Sequence, residues 1–199
     1  MLKTILLSSA ALMFAVPGAL AETPSRIRGT VTSLEGSALH VMASGGQDVV
    51  VTLSPNYSVT AVVPAKLSEV QPGSFIGTAA ETQPDGTLVA KEVHVFPESM
   101  RGSGEGHRGF DLGPKSTMTN GTVGQEVKGT SGNTLTVAYK GGEKSIMVPP
   151  GVPVVSFAPG DKSMLVQGAH VIVQAQAGAA GALMTERVIV GKDGLVPPM

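Results

Sequence analysis

Between Met100 and Thr117 the sequence gathers chemistry that it shows nowhere else. Arg101, Glu105, His107, Arg108, Phe110 and Asp111 put both signs of charge, an imidazole and an aromatic ring within eleven residues. A flexible linker needs only Gly and Ser, so this mixture exceeds what a spacer requires. Two uses fit it. The side chains can clamp flanking domains by ion pairs, or they can bind a small ligand or an envelope partner. Gly104-Glu-Gly106-His-Arg-Gly109 also fits G-x-G-x-x-G. That motif holds a dinucleotide only where a helix opens at the glycines. Phe110-Asp-Leu-Gly-Pro114 cannot continue as a helix, so dinucleotide binding is excluded.

The other candidate groups are dispersed. Four histidines occur, His40, His94, His107 and His170, with no H-x-H or H-x-x-x-H pair to converge on a metal. His40, His94 and His170 alternate with apolar residues and are expected to point outward as solvated surface groups. Met42, Met100, Met118, Met147, Met164, Met184 and Met199 lack the close spacing of a Cu(I) site and read as core filler. There is no cysteine, no G-x-S-x-G elbow and no Ser–His pair with an orienting acid, so nucleophilic catalysis has no support. The expectation is a non-enzymatic protein with no cofactor and no assigned metal ligand. Its alternative is an accessory protein of metal transport or resistance, holding a transition metal through His107 and its neighbours.

The elements that position these residues are repeated. Gly29-Thr-Val31 returns as Gly121-Thr-Val123, 92 positions on. Gly73–Thr78 and Gly86–Val95 return as Gly168–Val173 and Gly181–Val190, both 95 positions on. A fixed period with matched glycines and matched alternation means two copies of one unit. Each copy reads as six short strands. In the first they cover Arg26–Leu34, Ala38–Ala43, Asp48–Leu53, Ser58–Val62, Phe75–Ala80 and Thr87–Val95, with one helical turn at Lys66–Val70. In the last strand Leu88 and Ala90, then Val93 and Val95, face inward. The skip at Lys91-Glu92 marks a β-bulge, repeated at Glu186-Arg187. The fold class expected is all-β, as two tandem OB-like barrels of about six strands each.

The organisation follows. Residues 1–21 read as a signal peptide, with Lys3, an apolar run from Ile5 to Val16 and an Ala19-Leu-Ala21 cleavage site. A first barrel covers 22–96, a connector 97–117, a second barrel 118–194 and a tail 195–199. Cleavage after Ala21 leaves a soluble chain with no membrane span, expected in the periplasm or secreted. Losing Lys3 takes the formal net charge from −1 to −2. With few aromatics as well, that excludes a nucleic-acid partner.

The Gly-Thr-Val opening, Leu67-Ser-x-Val-x-Pro-Gly73 and Asp85-Gly-Thr-Leu-x-Ala-x-x-Val-x-Val95 resemble a family of bacterial exported OB-like domains of unknown function, here in tandem. Exported tandem proteins with a Met-Arg-Gly-x-Gly-Glu-Gly-His-Arg connector, Met100–Arg108 in this chain, are also similar. Some relatives are described as metal-transporter permeases. That description does not carry over, because a permease needs several spans and this sequence has none.

Overall fold

The computed structural model describes residues 25–129, 132–178 and 181–199, so the proposed signal peptide lies outside the described residues. The chain is all-β. Twelve strands follow in order: β1 (Ser25–Glu35), β2 (Ala38–Ala43), β3 (Asp48–Pro64), β4 (Phe75–Thr82), β5 (Leu88–Val95), β6 (Gly106–Gly109), β7 (Ser116–Gly129), β8 (Gly132–Tyr139), β9 (Gly142–Val148), β10 (Val154–Pro159), β11 (His170–Ala177) and β12 (Leu183–Gly191). No helix among the described residues is long and apolar enough to cross a membrane.

Five strands close a barrel in the order β1-β2-β3-β12-β11, with β1 returning to β11. Its core holds Val31, Leu39, Val41, Val51, Val173, Val188 and Val190. A second group pairs in the equivalent order β7-β8-β9-β5-β4, with β4 returning to β7. Its core holds Ile76, Leu88, Val93, Val123, Leu135, Val137 and Ile146. Each ring therefore takes three strands from one sequence repeat and the closing hairpin from the other. The rings do not follow the expected boundaries 22–96 and 118–194.

The exchange preserves the register. Shifting Thr30↔His170 by 92 and 95 positions gives Thr122↔Phe75, the pairing seen in the second ring. Either three-strand half thus presents the same edges to either hairpin, and nothing local ties a hairpin to its own repeat. Connectivity decides. From Pro64 the link 65–74 carries the chain to the second ring, where Gly73 and Ser74 bond across to Val123.

The rings meet along β3 and β10, which pair antiparallel about Val62↔Phe157. These residues are 95 apart, so the pair lies on a local two-fold axis. Pro64↔Val155 and Thr60↔Pro159 interchange across it. A symmetric junction of this kind is that of an isologous dimer, here within one chain. It buries a third apolar group around Val62, Val155 and Phe157, to which Phe96, Met100, Ile189 and Leu195 add.

Local sequence explains most details. The pairing slips between Ala79 and Ala80 opposite Glu92 and Ala90, which leaves Lys91 as the bulged residue. It slips again in the β11–β12 hairpin, where the three residues 185–187 oppose only Gln174 and Ala175, as the skipped alternation requires. The two runs read within Asp48–Val62 join into the single long strand β3, whereas their second-repeat counterparts stay apart as β9 and β10. Pro149, Pro150 and Pro153 interrupt the second copy at this point, and a proline has no N–H for the ladder. The expected helical turn is a single 3₁₀ turn at Leu67–Glu69.

Candidate functional site

The connector is ordered against both rings. Its first part lies on the second ring. Arg101 pairs with Glu98 at 2.6 Å, donates to the Gly73 carbonyl at 2.9 Å and lies over the Phe75 ring at 5.9 Å. Glu105 accepts from the Lys140 backbone N–H at 2.8 Å, tying the connector to the β8–β9 turn. β6 adds to the edge of β7, so His107 faces Thr119. Its Nδ1 lies 2.8 Å from Thr119 Oγ1 and its ring stacks on Tyr139. Burial lowers the His107 pKa below the ordinary histidine value, and the Lys144 charge lowers it further. Arg108 turns back on its own loop, donating to the Gly104 carbonyl at 2.7 Å.

The connector's second part reaches the first ring. Phe110 lies under the Arg26 guanidinium, 4.6 Å from ring centroid to cation, with Arg28 at 5.9 Å. Asp111 accepts from Arg26 at 2.8 Å and from both terminal nitrogens of Arg28 at 2.8 and 3.0 Å. The Arg28 hydrogen bonds, with the Arg26 and Arg28 charges, hold the Asp111 carboxyl below the usual range. Arg28 also donates through Nε to the carbonyl of Met199, fastening the tail at the same point. The six residues singled out from the sequence therefore do not converge on one cavity. Arg101, Glu105 and His107 grip one ring, Phe110 and Asp111 grip the other, and Arg108 braces the turn between. Among the described residues no group of three His, Cys, Asp or Glu is placed to hold a metal ion, so His107 has no partners for one.

Sequence reasoning missed a buried polar pair. His94 does point out of its ring, but it is 1 % exposed, and Glu92 beside it is 0 % exposed. The expectation of a solvated His94 is corrected, because β10 pairs beside it and brings Phe157 against its ring. His94 lies edge-on to Phe157 at 5.7 Å. Its Nε2 is 3.0 Å from Glu92 Oε1, but the two are misaligned for a hydrogen bond. Among the described residues, both Glu92 oxygens and His94 Nε2 thus lack hydrogen-bond partners, as do Thr78 Oγ1 and Asn120 Oδ1. One signal was available in the sequence. The second-repeat equivalent of His94 is Ile189, an outward apolar residue, which belongs on a covered face.

The two-fold frame also exposes a difference between the rings. On the second ring the surface around Phe75 and Thr122 is covered by Arg101. On the first ring the equivalents are His170, Thr30 and Val196, and there a hollow of about 410 Å³ stays open. Met42, Leu112, Val196 and Pro197 line it, with Thr30 and His170 joined at 3.1 Å through Oγ1 and Nδ1. A wider hollow of about 840 Å³ along the β12 bulge is lined mostly by exposed polar side chains such as Asn56, Gln174, Gln176 and Arg187. Comparison with protein-family models, curated proteins and solved structures finds no match for this chain.

Proposed function

We propose that the protein is an exported, non-enzymatic binding or adaptor protein of the bacterial envelope. It is built from two OB-like units that have exchanged their closing hairpins. In this reading the connector is a clasp, and binding takes place at the open hollow on the first ring. The observation that carries the reading is the asymmetry of a two-fold frame. One ring covers its surface with Arg101, while the other leaves the equivalent place open and apolar. The pattern of Lys3, the apolar run Ile5 to Val16 and Ala19-Leu-Ala21, read as a signal peptide, supports the envelope location. The clasp reading is supported by where the connector's charges go, since Arg101, Glu105 and Asp111 all bond to groups of the protein itself.

Native mass spectrometry of the protein isolated from the envelope tests this. The expected result is a bound species that is lost when Val196→Trp fills the hollow. Val196 is 62 % exposed, so the bulkier side chain has room without disturbing the core. A chain without any bound species, or one whose bound species is unaffected by Val196→Trp, refutes the site.

A further inference from the structure

We propose that the edge of β1 at residues 25–28 docks an extended segment of a partner protein, which joins the first ring as a strand antiparallel to β1. This rests on the reading of the protein as an adaptor and names the kind of partner. Its place is beside the hollow, not in it. Three observations lead to it.

The first is a row of open main-chain groups. The Val31 N–H donates to the Ala169 carbonyl and the Val31 carbonyl accepts from the Gly168 N–H, so Val31 faces β11. Alternation sends the main-chain groups of Gly29, Ile27 and Ser25 the same way, and those of Arg28 and Arg26 to the opposite edge. β2 covers that edge only as far as Gly29↔Ala43, after which the Ser44 N–H donates to the Arg28 carbonyl at 2.8 Å. Past this point the Arg28 N–H and the Arg26 N–H and carbonyl have no backbone partner among the described residues. Such an edge is a template for another strand.

The second is the occupied counterpart. On the second ring the equivalent residues 117–120 of β7 pair with β6, Met118 opposite Arg108 and Asn120 opposite Gly106. The chain reaches that edge along a course that the first ring repeats. β5 and β12 each lead into a 3₁₀ turn, Glu98–Met100 and Lys192–Gly194. Asn120 next donates to the Ser103 carbonyl at 3.0 Å, and Arg28 to the carbonyl of Met199. Asn120 lies 92 positions after Arg28, so these bonds are one feature in two places. On the second ring the course runs on from Ser103 into β6. On the first ring no described segment takes the place of β6.

The third is the chemistry that a strand meets there. On the second ring His107 faces Thr119 and stacks on Tyr139. The shared register puts Ile27 and Ala43 at the equivalent positions. Ile27 belongs to the core of the first ring and Ala43 packs against it. Neither side chain offers a hydrogen bond, and alanine leaves space that the tyrosine ring fills. The residue matched opposite Ile27 is therefore bulky and apolar. A second copy of this chain fits poorly, because two paired β1 edges bring Arg26 and Arg28 of both copies together, and opposed like charges repel. A strand from another protein draws its affinity from the main-chain bonds and its specificity from the side chain at Ile27.

The test extends the signal-free full chain after Met199 with a copy of residues 104–109 that carries leucine in place of the histidine. Amide hydrogen exchange, read by NMR, reports the edge. In the unextended chain the Arg26 and Arg28 amides are expected to exchange freely, and the extension is expected to slow both at least tenfold. Proline in place of the copied arginine removes the N–H opposite Arg26 and is expected to restore free exchange. Histidine kept in the copy is expected to protect less than leucine. The free peptide Arg-Gly-Ser-Gly-Glu-Gly-Leu-Arg-Gly is expected to slow the same amides in the unextended chain. Amides already protected in the unextended chain, an extension without effect, or full protection by the proline form overturns the open edge. Protection by the tethered copy alone overturns a partner in trans, and equal protection by histidine overturns the apolar assignment. The Arg26 amide reports the edge whatever the hollow holds, so this proposal and the binding site in the hollow can fail separately.

Discussion

Replacing His94 by leucine leaves the buried Glu92 carboxyl without the one polar side chain that lies beside it among the described residues. Both side chains are withdrawn from water, at 2 and 0 % relative exposure, and approach to 3.0 Å. Removing one of two buried polar neighbours costs about 1–3 kcal/mol, because the group left behind keeps its desolvation cost without its partner. Glu92→Leu leaves the imidazole in the same position and should cost a similar amount. The double variant Glu92→Leu/His94→Leu removes both polar groups together. It leaves neither group unpartnered, so it should return to within about 1 kcal/mol of the native chain. A chain of this size loses ~2–4 °C of melting temperature per kcal/mol, so His94→Leu should melt roughly 2–12 °C lower and the double variant near the native value. Circular dichroism melts and urea titrations of the four proteins complete a double-mutant cycle. A His94→Leu chain as stable as the native one refutes the burial. A double variant no better than His94→Leu refutes the coupling.

Three further outcomes follow from the same geometry. Asp111→Ala should lower the melting temperature by a few degrees, since a carboxylate that is 43 % exposed is screened and its ion pairs are worth about 1 kcal/mol. Because its folded pKa is depressed, that contribution is present above the ordinary aspartate pKa of about 4 and is lost as pH falls through the folded value. An unchanged melt at pH 7 counts against the clasp. His107 also has a depressed folded pKa, so on acidification the unfolded chain takes up the proton first. Stability should fall as pH drops through the ordinary histidine pKa of about 6.5 towards the lower folded value, and His107→Gln should flatten that slope; identical slopes refute the assignment. The hairpin exchange can be trapped in this cysteine-free chain. Glu81 and Ser116 are directly opposed across β4 and β7, so Glu81→Cys/Ser116→Cys should oxidise to an intramolecular disulfide. Failure to form it in the folded monomer contradicts the exchanged pairing.

Much of the frame was legible in the residues. Period-two alternation with the skips at Lys91-Glu92 and Glu186-Arg187 located the bulges, because an extra residue must leave the ladder where alternation breaks. The mixed charges of the connector marked it as more than a spacer. Asp111 with Arg26 and Arg28, and Glu105 with the Lys140 amide, show where that charge is used.

What the repeat left open is which hairpin closes which ring. Strand register is a local property, and both hairpins satisfy it at both edges. Thr30↔His170 and Thr122↔Phe75 are the same pairing in two places. Only the path of the chain through 65–74 and the two-fold junction at Val62 and Phe157 selects the exchanged form. Alternation likewise tells that His94 leaves its ring, but not what lies beyond. Burial is a sum over everything packed against a face, and that face was supplied by strands from the other half of the sequence. The hollow beside His170 is of the same kind. Met42, Leu112 and Val196 are far apart along the chain and become one lining only when the connector and the tail fold back over β1.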